Sequence, residues 1–174
     1  MAVLVVVGPP AVGKSTVTRL LANALTPSIR VDVDYIRDGM VVNGAVLPHE
    51  TWSAALVAQL AAARASACGI ARAYSAIGFD VVIDDFYDPH SRLEEYAAID
   101  DLRPRRVILV PERAVAQERS RARDDAAAAF IAAGIDEVYA LLPSAEALAA
   151  DGWAVLDTSD LTAEQTRDVL LGST

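Results

Sequence analysis

The chain is 174 residues long, enough for one domain with a real core. Its formal net charge of −9 argues against a nucleic-acid partner, because nucleic-acid binders present a basic face. The single cysteine, Cys68, excludes an internal disulfide and fits the reducing cytoplasm.

Five short apolar runs are predicted as strands, at 3–7, 29–33, 79–83, 106–110 and 153–157. Helical patterns fall between them, at 14–25, 50–76, 91–99, 112–132 and 136–149. A last helix starts near Thr162, which makes a capping box with Gln165. The opening run "AVLVVV" is too short for a signal peptide or a membrane span. The most apolar segment, 51–78, is interrupted by Gln59, Arg64 and Arg72 and is expected to be a core helix, not a membrane helix. No repeat or linker divides residues 1–174, which are expected to form a single α/β domain. Strand and helix alternation predicts a five-stranded parallel sheet between two helical layers, a three-layer arrangement. Ligands bind such sheets beyond the carboxyl ends of the strands.

The first strand runs into "GPPAVGKST". From Gly8 to Ser15 this fits G-x-x-x-x-G-K-[ST] without a mismatch. Gly8 and Gly13 permit a loop in which the backbone N–H groups of Pro9–Thr16 that carry one turn inward around phosphate oxygens. That loop comprises Pro9, Pro10, Ala11 and Val12, and the next helix opens with Lys14, Ser15 and Thr16 and adds its positive dipole end. Lys14 is expected to reach the β- and γ-phosphates, and the Ser15 hydroxyl to bind Mg²⁺. Lys14 is also the only lysine, against fourteen arginines. A compact ammonium on a flexible stem suits this loop, and a planar guanidinium does not. Guanine-reading Asn-Lys-x-Asp needs a second lysine, and no Asp-x-x-Gly is present, so ATP is the expected nucleotide.

The second strand ends in "VDVDYIRDGM". Asp34 stands one step past the apolar run, where an acceptor would approach the γ-phosphate. A carboxylate there accepts the proton of an attacking hydroxyl, so Asp34 is the candidate general base. The competing reading makes it a plain helix N-cap. Arg37, one turn on, is placed to hold Asp34 or to bind the acceptor. Asp32, in phase with Asp34, is a candidate outer ligand of Mg²⁺, and Asp38 a solvated helix residue. The following segment, 40–52, has no motif and is expected to shape the acceptor pocket, with Tyr35 and Trp52 as apolar walls.

"GPPAVGKST" followed by "VDVDYIRDGM" resembles the chloramphenicol phosphotransferases. It is also similar to phage polynucleotide 5′-kinases and zeta-toxin kinases, which share Asp-x-x-Arg or a lone Asp at this place. The resemblance implies a P-loop NTPase fold of nucleoside-monophosphate-kinase type, with ATP and Mg²⁺ as cofactors, Asp34 as base and a hydroxyl as acceptor. It favours an antibiotic or other natural-product alcohol as that acceptor. Shikimate kinases carry Gly-Gly-Gly after the third strand, where this chain has "DDFYD".

At that third strand end, Asp84 is the candidate outer support for Mg²⁺. Asp85 and Phe86 are expected to face the acceptor, with Tyr87 and His90 as further wall candidates. After the fourth strand, Arg119 and Arg123 share a helical face and Arg121 does not. By resemblance, residues 112–132 form a lid. Its Arg-x-x-x-Arg pair, Arg119 and Arg123, meets the nucleotide and the transferring phosphoryl group. The competing reading is a solvated charged helix. After the fifth strand, Thr158 is the candidate contact to adenine, with Ser159 and Leu161 as weaker ones. The sequence leaves two rival functions open: a kinase of polynucleotide 5′-hydroxyls or nucleotide-sugars, and a nucleotide-binding regulator without transfer activity. It carries no signal for an oligomeric state.

Overall fold

The computed structural model describes residues 2–46, 53–87, 93–122 and 128–172. Its strands are β1 (Val3–Val7), β2 (Ser28–Asp32), β3 (Asp80–Asp84), β4 (Arg105–Leu109) and β5 (Ala154–Leu156). They pair in parallel in the order β2-β3-β1-β4-β5. β1 is buried at every position, as a central strand covered on both faces must be, and its unbroken run of Val and Leu follows from that.

The helices are α1 (Lys14–Ala24), α2 (Ala54–Ala76), α3 (Arg113–Arg121), α4 (Ala128–Leu141), α5 (Ala145–Ala150) and α6 (Ala163–Gly172). α1 and α6 cover one face, where Leu4, Val6, Leu21, Val82, Leu109 and Leu170 share a core. On the other face α2, α4 and α5 pack with the 3₁₀ segment Leu93–Leu102, around Val5, Ala67, Ile83, Tyr96, Ile108 and Trp153. Between layers so packed, the free edge is the carboxyl end of the sheet.

α2 starts at Ser53, whose hydroxyl accepts from Leu56 N–H at 3.1 Å. By length and composition it could cross a membrane. Here it lays Leu56, Leu60, Arg64, Ala67, Ala71 and Ser75 into the fold as a buried stripe. The capping box at α6 forms as expected. Thr162 N–H donates to Gln165 Oε1 at 2.8 Å, and Gln165 N–H to Thr162 Oγ1 at 3.2 Å.

Three expected helices differ. The one expected at 112–132 stops at Arg121, and α4 begins at Ala128. The one expected at 136–149 is divided at Pro143, after which Ser144 caps a new start by accepting from Ala147 N–H at 3.2 Å. The pattern at 91–99 becomes a 3₁₀ segment with non-helical angles at Ile99. Trp52, His90 and Arg123 lie outside the described residues.

Candidate active site

The phosphate loop joins β1 to α1. Gly13 enters the helix with φ +90°, a left-handed angle that suits glycine, and Ala11 at φ +64° bends the loop before it. A Cβ on Gly8 would meet the Leu109 carbonyl at 2.7 Å and Val12 at 2.9 Å, so only glycine fits between β4 and the loop. The loop is tied to β3 by Tyr87 N–H, which donates to Gly8 O at 2.8 Å. Lys14 follows at the start of α1, its Nζ 3.8 Å from Asp84 Oδ1. Ser15 and Thr16 stand exposed at the mouth of the loop.

Asp84 is buried at the end of β3. Its Oδ2 accepts from Thr18 Oγ1 at 2.9 Å and from Arg30, leaving Oδ1 on the Lys14 side. Arg30 also donates to Thr18 Oγ1 and to Asp32, each at 2.9 Å. Among the described residues no group of three or more His, Cys, Asp or Glu is arranged to hold a metal ion. Ser15 and Asp84 near the loop suffice for Mg²⁺, which is commonly held by phosphate oxygens, one or two protein groups and waters. Asp32 joins the Asp84 and Arg30 network from β2. Its Oδ2 accepts from Arg30 and its Oδ1 from Tyr35 N–H at 3.1 Å.

That last bond decides the reading of Asp34. The turn after β2 is a single π-helical turn, Tyr35–Gly39, in which Met40 N–H donates to Tyr35 O at 2.8 Å. Asp34 occupies its N-cap but makes no capping bond. Asp32 does that work instead, and the Asp34 carboxylate is left for another use. Arg37 Nη1 lies 3.0 Å from Asp34 Oδ1. That oxygen is buried and, beyond this ion pair, takes no hydrogen bond from the described residues. Burial raises the Asp34 pKa above the ordinary 3.8, and the nearby Lys14 and Arg37 charges offset only part of the rise.

Arg37 is itself buried, with its guanidinium over the Phe86 ring at 5.2 Å from the centroid. Phe86 therefore packs against the turn that carries Asp34 and Arg37, and Tyr35 on the same turn is exposed. Asp85 and Tyr87 point into the fold. Tyr87 is buried in the core. The Asp85 side chain is 0% exposed, and its Oδ2 accepts from Arg64 Nε at 2.7 Å and from the Tyr96 hydroxyl at 2.9 Å. Its Oδ1 accepts from Phe86 N–H at 2.8 Å. With both oxygens used inside the fold, Asp85 anchors the loop that carries Phe86 and touches no substrate.

On the opposite side of the loop, a cavity of about 220 Å³ is lined by residues that include Val12, Thr16, Arg119, Thr158, Leu161 and Thr162. Arg119 bridges it, donating to Val12 O at 3.3 Å, Thr158 O at 2.9 Å and Leu161 O at 3.4 Å. The buried Thr158 hydroxyl has no partner among the described residues. An orphaned hydroxyl and a guanidinium against the helical end of the loop suit the base of a nucleotide whose phosphates lie in the loop. Arg119 is held here by three backbone carbonyls, two of them on the loop before α6. Arg121 is exposed, as a solvated residue is.

Sequence reasoning did not single out Arg30, Arg64, Thr18 or Tyr96. Arg30 was signalled by period-two spacing with Asp32 and Asp34. Arg64 was signalled by its place in the four-residue rhythm Leu56, Leu60, Arg64.

Residues 3–148 match the AAA domain family (AAA_33). The chain belongs to that family. No curated protein matches the sequence. Among solved structures, shikimate kinase from Bacteroides thetaiotaomicron shares the fold at 14% identity and TM-score 0.67, over 98% of this chain and 97% of that one. A sugar kinase from Janibacter sp. is similar at 19% identity and TM-score 0.65, over 99% and 93%. The tunicamycin resistance protein of Deinococcus radiodurans is similar at 13% identity and TM-score 0.63, over 99% and 94%. The AAA-domain chain thus has the fold of small P-loop kinases, with its five parallel strands in the order given above.

Proposed function

We propose that this AAA-domain chain is an ATP-dependent phosphotransferase that moves the γ-phosphoryl group of ATP to a hydroxyl of a small molecule. The observation that carries the reading is Asp34, whose buried Oδ1 is ion-paired with Arg37 at 3.0 Å, beside Lys14 at the sheet's carboxyl end. A hydroxyl that donates to this oxygen is held, and its proton is taken up as the oxygen attacks phosphorus. Lys14 and the loop N–H groups hold the phosphates in line, which is most of what phosphoryl transfer requires. Ser15, with Asp84 behind it, would hold Mg²⁺, which when bound neutralises charge on the β- and γ-oxygens. Arg119 and Thr158 bind the nucleotide from its base side.

An antibiotic or other natural-product alcohol is the acceptor class favoured by the motif resemblance, and the shared fold with a tunicamycin resistance protein adds to it. A cytoplasmic setting is supported by the lone buried Cys68 and by the need for ATP. The pairing of Asp34 with Arg37 also favours a polynucleotide 5′-hydroxyl acceptor, which the net charge of −9 opposes. ATP consumption across a panel of alcohols, nucleosides and 5′-hydroxyl oligonucleotides, with Asp34→Asn as the control, tests these readings. Acceptor-dependent turnover lost in the variant is the expected result. Tight ATP binding with no turnover on any acceptor would make the chain a nucleotide-binding regulator.

A further inference from the structure

Among the described residues, Arg30 on β2, Arg37 on the turn after it and Arg64 on α2 share one pattern. Arg30 lies between Asp32 and Asp84. Arg37 lies between Asp34 and Asp38, at 3.0 Å from each. Arg64 lies between Asp85 at 2.7 Å and Glu95 at 3.5 Å. Each arginine thus bridges two carboxylates, and Lys14 is directed to the phosphates of the nucleotide. A phosphate or carboxylate on an acceptor would find each of these guanidiniums already facing two acids. It would also approach the part-exposed Asp32, Asp34 and Asp38 as a like charge.

Two further observations say what such a site takes instead. Arg37 is 7% exposed, and its Nε–H has no partner among the described residues, so one donor remains for an uncharged oxygen. Tyr35, Met40 and Val42, on and just after the turn that follows Asp34, expose 60%, 61% and 90% of their surface. Large apolar side chains so exposed beside a polar site suit an apolar ligand body.

We infer that the acceptor is an alcohol without an anionic group, its hydroxyl on an uncharged and largely apolar scaffold. This rests on the phosphotransferase reading and narrows it against phosphorylated and carboxylate-bearing acceptors. Phosphoryl transfer to matched pairs tests it: nucleosides against their 3′-monophosphates, and methyl esters of hydroxy acids against the free acids. The expected result is at least a tenfold higher kcat/KM for the uncharged member of each pair. Asp38→Asn, which takes away one of the two carboxylate charges beside Arg37, is expected to narrow that ratio about tenfold. An anionic member used as well as its neutral partner, or a ratio unmoved in Asp38→Asn, overturns the inference.

A second arm does not depend on transfer. With the nucleotide site saturated by a non-hydrolysable ATP analogue and Mg²⁺, the Arg37 Nε–H resonance is followed while inorganic phosphate is added. No saturable shift is expected, and a saturable one overturns the inference. Failure of every acceptor to react would remove the kinase reading, while the phosphate titration still decides the charge argument.

Discussion

The chemistry assigned here turns on two residues of opposite charge, Lys14 and Asp34. Lys14 keeps the only ammonium in a chain that otherwise uses guanidinium. Lys14→Arg preserves charge but brings a wider planar group to a position where Asp84 already stands 3.8 Å away. The expected outcome is transfer reduced by roughly 10²–10³-fold, the scale of losing one positioned donor to developing charge, with an unchanged circular dichroism spectrum. Near-normal turnover would mean the lone lysine has another explanation. For Asp34, replacement by Asn keeps shape and removes the base. ATP affinity should hold while kcat falls by roughly 10²-fold or more. The pH dependence has a definite sign. Asp34 must be ionised to accept a proton, and burial raises its pKa above 3.8. Activity should therefore fall on the acid side, through a midpoint above the ordinary carboxylate range. Arg37→Ala removes one of the two cations that hold the pKa down, so the midpoint of the kcat/KM profile should move to higher pH. A shift to lower pH, or none, would separate Asp34 from the base role.

At the scale of elements, α2, β3 and the 3₁₀ segment meet in the Arg64–Asp85–Tyr96 cluster, whose side chains are essentially unexposed. Burial works most strongly against the Arg64 charge, but Asp85, Tyr96 and Glu95 together outweigh it, so the guanidinium pKa rises. Burial and the Asp85 charge together push the Tyr96 hydroxyl well above 10. A pair closed in this way is costly to break from one side, because the remaining charge has no solvent. Arg64→Met should destabilise by about 3–5 kcal/mol in denaturant unfolding, and the double change with Asp85→Asn by much less than the sum. Additive losses would mean the pair is not a unit. The phosphate loop, the five strands and the capping box were legible in the sequence because local chemistry specifies each. The Asp85 anchor was not, because its partner lies on α2, 21 residues earlier, and only packing brings the two together. The break between helices 113–121 and 128–141 was blurred by alanine, which favours helix everywhere and marks no ends, whereas Pro143 and the Ser144 cap mark the start of 145–150. Arg119 shows the same limit from the other side. Its helical face was legible, but three backbone carbonyls from distant loops fix its place. Arg119→Ala should therefore raise the KM for ATP by roughly tenfold with a smaller effect on kcat, since charged hydrogen bonds near the base act in ground and transition states alike. Arg121→Ala should change neither, and equal effects at both positions would reduce α3 to a solvated helix.

At the scale of the whole molecule, the phosphate loop and its surroundings draw on elements from both faces of the sheet. The loop follows β1 and enters α1, on the α1–α6 face, and it is tied to β3 by Tyr87. The base-side cavity adds α3 and the loop before α6. The acceptor side adds the π-helical turn, which α2 and the second core cluster support through Ile36. A ligand held by all of these stabilises the folded chain as a unit and has no affinity for the unfolded one. ATP with Mg²⁺ at about 100 times its Kd should add about 2.7 kcal/mol. In a domain of this size that corresponds to a Tm higher by roughly 5–10 °C. Scanning calorimetry should record one transition that moves without splitting. Thr158→Val gives the sharper form of the test. In the free protein it removes a buried hydroxyl that has no partner, so Tm without nucleotide should hold or rise. If that hydroxyl meets the base, the ATP-dependent shift should shrink at the same concentration. A variant that loses Tm without nucleotide and keeps the full ATP shift would show that Thr158 serves the fold and that adenine is read elsewhere.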